Sequence, residues 1–246
     1  MRLAFRHCLA VILLASTCAP LRAEVEPSVT TVLVGGVRAV LIKPAKPIGA
    51  IILLAGGDGR IGVEDDGVIK RQGNQLVRTR MAYARKGFAV LTPDLGYDLA
   101  ALVDYMRTIK RPVTVAGTSR GTQRAAEGVA AGARPDKMVL TSGFLSDAST
   151  GEPPGNVRRR SENSVISLLE SPRLLLPTLV VHHRQDHCWL TSPAGVAPFI
   201  AWAGGKARVV WLEGGEETGD PCEAQGHHGF RGIDQKVVDA VAAFAK

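Results

Sequence analysis

Three stretches far apart in the chain carry the residue types that acyl-transfer chemistry needs. The first, Gly117-Thr118-Ser119-Arg120-Gly121, follows the β-prone run Pro112–Ala116 and opens onto an Ala- and Gly-rich helical run, Gly121–Gly132. A serine in a G-x-S-x-G turn between strand and helix is presented above the sheet, and its two glycines permit strand and helix to cross closely. A serine hydroxyl is a poor nucleophile until a base takes its proton, and the base needs a third group to hold its tautomer. Arg184-Gln185-Asp186 follows the run Leu179–His183 and offers a carboxylate. Gly226-His227-His228-Gly229-Phe230, between the last strand and the last helix, offers an imidazole. The chain order Ser119, Asp186, His228 is the order of nucleophile, acid and base in a fold of this kind. Asp147 and Asp220 are the competing acids; one lies in an irregular stretch after an earlier strand, the other close to the histidines. His227 is the alternative base, and His228 is preferred because it directly precedes Gly229-Phe230.

A tetrahedral oxyanion requires two backbone N–H donors. Arg120, next after the serine, is expected to supply one. The loop Ala55-Gly56-Gly57-Asp58-Gly59, after the apolar run Ala50–Leu54, is expected to supply the other from Gly57, with Asp58 as the neighbouring alternative. Asp58 and Arg78 are also candidate substrate contacts. Arg78, Arg80 and Arg120 would favour an acidic substrate if they faced the site, although pairing with surface acids is the simpler role for them.

Two other chemistries use some of the same residues. Gly57-Asp58-Gly59-Arg60-Ile61-Gly62 spells G-x-G-x-x-G, but Val63–Gly67 reads as loop where a dinucleotide site needs a helix, and no acid falls between Asp66 and Asp94. His182, His183, Asp186, His187 and Cys188 crowd together, yet their spacing matches no tetrahedral zinc pattern. Neither a metal nor a cofactor is expected.

To position the three stretches the chain must alternate strands and helices. Val29–Val34 and Arg38–Ile42, separated by Gly35-Gly36, read as a hairpin. Ala50–Leu54, Phe88–Leu91, Pro112–Ala116, Met138–Thr141, Thr178–His182 and Arg208–Leu212 read as further strands. Helical spacing appears over Gln75–Lys86, Leu99–Ile109, Gly121–Gly132 and Ile233–Lys246. The expected fold class is α/β: a mostly parallel sheet with an N-terminal antiparallel hairpin and helices on both faces. The weakly periodic stretch 142–177 reads as a short excursion or minimal lid, with a short helix near Ser164–Leu169.

The 246 residues are 46% hydrophobic and 22% charged, enough for one α/β domain and too apolar for disorder. Arg2 and Arg6 precede the apolar run Cys8–Ala15, and Ala23 stands before polar Glu24. That is the pattern of a signal peptide, residues 1–23, cut after Ala23, which leaves one domain over 24–246 and a secreted or periplasmic product. An apolar run of about ten residues is roughly half a membrane span, so no stable span is expected after processing. Loss of the signal lowers the formal charge from +7 to +4 and leaves two of the four cysteines, Cys188 and Cys222, as an expected disulfide. Arg158-Arg159-Arg160 lies in a Gly/Pro/Ser-rich stretch without nearby aromatics, and no nucleic-acid partner is expected.

The strand followed by a GGDG loop, the GTSRG turn, HHRQDHC after a strand and GHHGF before the last helix resemble the α/β-hydrolase superfamily, in particular small secreted bacterial-type members with a minimal cap. The resemblance covers Thr30 onward. It implies a serine hydrolase, carboxylesterase-like, that acts on a small-molecule acyl substrate through an acyl-enzyme. Lactonase, thioesterase and peptidase chemistry share that machinery, and a binding protein built on the same fold is the non-catalytic alternative. One departure stands out: Ala55 occupies a position where many members carry a histidine, which leaves open what holds the glycine loop.

Overall fold

Gly35 and Gly36, at φ +57° and +83°, turn β1 (Ser28–Val34) back onto β2 (Val37–Lys43). L side chains rarely adopt either conformation, so the two glycines set the hairpin and its register, Val34 opposite Val37 and Thr31 opposite Val40. The structure, a computed structural model, describes residues 26–152, 155 and 163–246. The expected signal peptide and Arg158-Arg159-Arg160 lie outside the described residues.

β2 runs antiparallel to β4 (Phe88–Pro93). The other strands, β3 (Gly49–Leu54), β5 (Val113–Thr118), β6 (Lys137–Thr141), β7 (Thr178–His183) and β8 (Ala207–Leu212), join β4 in a parallel array. The spatial order is β1-β2-β4-β3-β5-β6-β7-β8. Strand β3 is buried on both faces, and its alternation splits the core in two. Ala50, Ile52 and Leu54 face a layer formed with α2 (Leu99–Ile109), α3 (Arg120–Ala130), α4 (Val165–Leu169) and α5 (Val196–Trp202). Ile51 and Leu53 face α1 (Gln75–Arg85) and α6 (Asp234–Ala245). Each fully buried Leu or Ile contributes about 1.5–3 kcal/mol, so a one-residue slip of β3 would exchange the two layers' partners at high cost.

Helix starts follow local chemistry. Asn74 accepts from the Leu76 N–H at the start of α1, and Asp98 accepts from the Ala100 N–H at the start of α2. The expected strands and long helices are all present, with ends shifted by two residues or fewer. Helix α5 was not among the expected elements. It has only seven residues, and Pro198 falls in its first turn, where the backbone N–H has no intrahelical partner to lose.

The strand order reverses at β3, whose neighbours β4 and β5 lead away in opposite directions. A crevice forms outside the carboxyl ends of the strands at such a point, and ligands of open α/β sheets bind there. Segments leaving β3, β5, β7 and β8 converge at this end.

Candidate active site

Ser119 sits between β5 and α3 at φ +51°, ψ −123°, a region that costs an L residue on the order of 1–3 kcal/mol. Its N–H donates to the Thr141 carbonyl at 3.0 Å, and its carbonyl accepts from the Thr122 N–H at 2.9 Å and the Thr122 hydroxyl at 2.7 Å. Those bonds hold the turn. A Cβ at Gly117 would lie 2.3 Å from the Gly121 carbonyl oxygen, and one at Gly121 would lie 2.3 Å from that of Leu54. Both glycines are therefore required by the crossing of strand and helix. Although Ser119 occupies the position before α3, its hydroxyl makes no capping bond, and the residue lines a cavity.

At the ends of β7 and β8, His228 Nδ1 lies 3.0 Å from Asp186 Oδ2. The Asp186 side chain is fully buried and that of His228 is 6% exposed. A proton on Nδ1 donates to the carboxylate, which leaves the Nε2 lone pair free to accept one. The Thr191 hydroxyl lies 3.0 Å from the same Nδ1. The other oxygen of Asp186 accepts from the Cys188 N–H at 3.0 Å. Burial alone would raise the Asp186 pKa. The facing His228, its hydrogen bond, the nearby His182 and the Cys188 N–H outweigh burial and hold the carboxyl below its ordinary range. His182, buried beside the pair, is shifted down by desolvation and so disfavours a second positive charge there.

The loops that carry Asp186 and His228 are cross-linked. Cys188 and Cys222 form the expected disulfide. Arg78 was a candidate substrate contact, and the structure corrects that assignment. Its guanidinium is absent from the cavity wall and all three of its nitrogens have acceptors. Nε donates to Asp234 at 3.1 Å, Nη1 to the carbonyls of Gly73 and Ala224, and Nη2 to the Gly229 carbonyl at 2.6 Å and to Asp234. With its donors committed on both sides of His228, Arg78 fixes the loop that carries the imidazole. Arg80 likewise turns to its own helix, donating to the Val77 carbonyl.

The glycine loop after β3 is held by a residue that the sequence did not flag. Arg124, on α3, donates to the carbonyls of Ala55 at 2.7 Å and Gly57 at 2.6 Å. This answers the question raised by Ala55: a guanidinium from the helix behind the serine anchors the loop. The anchoring leaves Gly56 so close that a Cβ there would be 3.1 Å from the Ser119 Cβ. Further along, Asp94 accepts from the N–H groups of Ile61, Gly62, Val63 and Leu95. Gly57, Gly59 and Gly62 all take positive φ here, and the G-x-G-x-x-G run opens no helix.

Ser119, Arg120, His228, Gly57 and Asp58 line one cavity of about 440 Å³, and Cys188 and Cys222 form part of its wall. Asp58 is paired with Arg71 at 2.9 Å on this wall. Asp186 stands behind His228. The competing acids are elsewhere: Asp147 accepts from the Ser164 hydroxyl, and Asp220 from the Cys222 N–H. His227, the alternative base, turns its Nδ1 toward Gln185 and Glu217. Thr191 and Arg124 are the neighbours that sequence reasoning missed; neither belongs to a local motif.

No protein-family model matches the sequence, and no curated protein matches it. Solved structures do. TT1662 from Thermus thermophilus superposes with a TM-score of 0.60 at 16% identity, over 90% of this chain and 99% of that one. A sugar hydrolase, YeeB, from Lactococcus lactis gives 0.59 at 14%, over 89% and 97%. Carboxyl esterase 2 from the mycorrhizal fungus Tuber melanosporum gives 0.57 at 13%, over 94% and 88%. The chain has the α/β-hydrolase fold. Within this α/β-hydrolase fold, the glycine loop follows β3, the serine turn follows β5, and the carboxylate and imidazole follow β7 and β8. Among the described residues no helix is long and apolar enough to cross a membrane.

Proposed function

We propose that this protein is a serine hydrolase of small carboxylic esters. The observation that carries the reading is the buried Asp186–His228 pair, 3.0 Å apart, with His228 on the wall of the cavity that Ser119 also lines. In this reading Ser119 Oγ attacks the substrate carbonyl while His228 Nε2 takes its proton, and Asp186 stabilises the imidazolium. The N–H groups of Gly57 and Arg120 receive the oxyanion. Collapse of the intermediate breaks the ester bond, and the leaving alkoxide takes the proton from His228. Water, deprotonated by the same imidazole, then attacks the acyl-enzyme, and the carboxylic acid departs as Ser119 regains its proton.

The cavity limits the substrate. Its volume is that of a small-molecule site, and its wall sets Asp58, Arg60, Arg71, Glu223 and Gln225 among apolar Ile61, Phe144 and Leu190. A small acyl group that carries a polar substituent would meet both kinds of lining. The Cys188–Cys222 disulfide supports a location in an oxidising compartment, in keeping with a cleaved signal at residues 1–23.

Ser119→Ala tests the reading. The variant is expected to keep the wild-type melting temperature, to lose covalent labelling by a fluorophosphonate, and to lose p-nitrophenyl acetate turnover by at least ~10⁴-fold. Equal labelling of wild type and variant, or a wild type inert to both reagents, would remove Ser119 from the role.

A further inference from the structure

Outside the cavity, two residues adjacent in sequence to the acid and the base come together. His187 follows Asp186, His227 precedes His228, and neither lines the cavity wall. Between their imidazoles lies Glu217, from the segment that joins β8 to Cys222. His227 Nδ1 is 2.9 Å from Glu217 Oε2, and His187 Nδ1 is 3.9 Å from Glu217 Oε1. One donor atom from each of the three residues falls within 4.8 Å of the others.

We propose that His187, Glu217 and His227 bind a single divalent ion of the zinc type. Two imidazoles and one carboxylate form a donor set suited to Zn²⁺, whereas Ca²⁺ and Mg²⁺ prefer oxygen ligands in larger number. In a tetrahedral site with bonds of about 2.0–2.1 Å, neighbouring donors stand about 3.3–3.4 Å apart. The 2.9 and 3.9 Å separations, one to each oxygen of Glu217, lie on either side of that spacing, and closing the site requires the three donors to draw in from within 4.8 Å of one another.

Part of the site is already held in place. The His227 ring stacks on His183 with centroids 4.2 Å apart and planes within 9°. His183 is itself fixed, with Nε2 at 2.8 Å from the Gly214 carbonyl and Nδ1 accepting from the Gln185 N–H. Glu217 accepts from the His227 backbone N–H at 2.7 Å. His187 and Glu217 are exposed, which gives the ion an entry path and leaves a fourth position to water. A bound ion would tie the loop after β7 to the loop before α6, across the outside of the Asp186–His228 pair. It would stabilise these loops without entering the chemistry at Ser119.

The test reads binding and stability, so its result is independent of whether the protein hydrolyses esters. The full chain, stripped with a chelator, is titrated with ZnCl₂ by calorimetry and followed by thermal unfolding. One ion per chain is expected, with a rise in Tm of roughly 5–10 °C at a hundredfold excess over Kd. MgCl₂ and CaCl₂ at the same concentration should leave Tm unchanged. His187→Ala removes an exposed side chain, so the stripped variant should melt with the wild type yet bind Zn²⁺ at least ~10-fold more weakly. Glu217→Gln should weaken binding as well. The proposal is overturned if wild type takes up no stoichiometric zinc. It is equally overturned if His187→Ala binds as the wild type does, which would place the ion elsewhere, the Asp186–His228 pair included.

Discussion

Around Ser119 the site is fixed by excluded volume: Gly117 and Gly121 lie where strand, helix and loop backbones leave no room for a side chain, and Gly56 is only slightly less crowded. Around Asp186 and His228 one backbone approach is as close, with a Cβ at Gly229 falling 2.2 Å from the Ala224 carbonyl oxygen, but cross-links add most of the positioning: a disulfide, a guanidinium with every nitrogen engaged, and a carboxylate shared between histidines. A site made by close packing depends on the whole sheet. One made by cross-links can fail one link at a time. The first half should therefore lose fold and activity together, whereas the second should lose activity before fold.

The sharpest way to break this contrast is Gly121→Ala. Its methyl would meet the Leu54 carbonyl at 2.3 Å, so β3 and α3 must separate. A loss of about 4 kcal/mol in urea unfolding is expected, with turnover falling in step. A loss below about 1 kcal/mol would mean that the crossing is not tight. Next in size is reduction of Cys188–Cys222, whose loop spans 34 residues. Comparison of oxidised and dithiothreitol-treated protein should give about 3–4 kcal/mol and a fall in kcat larger than the change in KM. If reduction altered neither, the bridge would not hold acid and base in register.

Arg78→Met comes third. It leaves Asp234 and the carbonyls of Ala224 and Gly229 without their donors, at an expected cost of about 2–3 kcal/mol, and it should lower kcat while the Ser119 loop stays intact. Unchanged kcat would show that the His228 loop stands without this clamp. The smallest effect concerns Asp94. Burial raises its pKa, but four backbone N–H donors outweigh burial and hold the carboxyl below its ordinary range. A depressed native pKa contributes stability that is present above the unfolded value of about 3.9 and lost as pH falls through the native one. Because Asp94 is partly exposed, Asp94→Asn should cost only about 1 kcal/mol at pH 7 and almost nothing near pH 2. Urea unfolding at the two pH values measures the difference.

How far the sequence carried the reading depended on how local each constraint is. The serine turn was legible because its two glycines, its β run and its helix are contiguous. Asp186 and His228 were legible from chain order and from their places after strands. Arg124 was not, because its role arises only when α3 packs behind β3 and brings a side chain from one motif to the carbonyls of another. Thr191 and Glu217 were hidden for the same reason. Arg78 was misread because a charge near a site suggests a ligand, while Ala224, Gly229 and Asp234, which supply most of its acceptors, lie about 150 residues away. Helix α5 escaped because two turns containing a proline leave too little periodicity to detect.

The order of the site along the chain has a consequence for synthesis. Ser119 is made 109 residues before His228, which at 5–20 residues per second is a delay of roughly 5–20 s. In the proposed mechanism the hydroxyl is therefore made before its proton acceptor exists, so the order of translation would withhold activation of Ser119 until the chain is nearly complete.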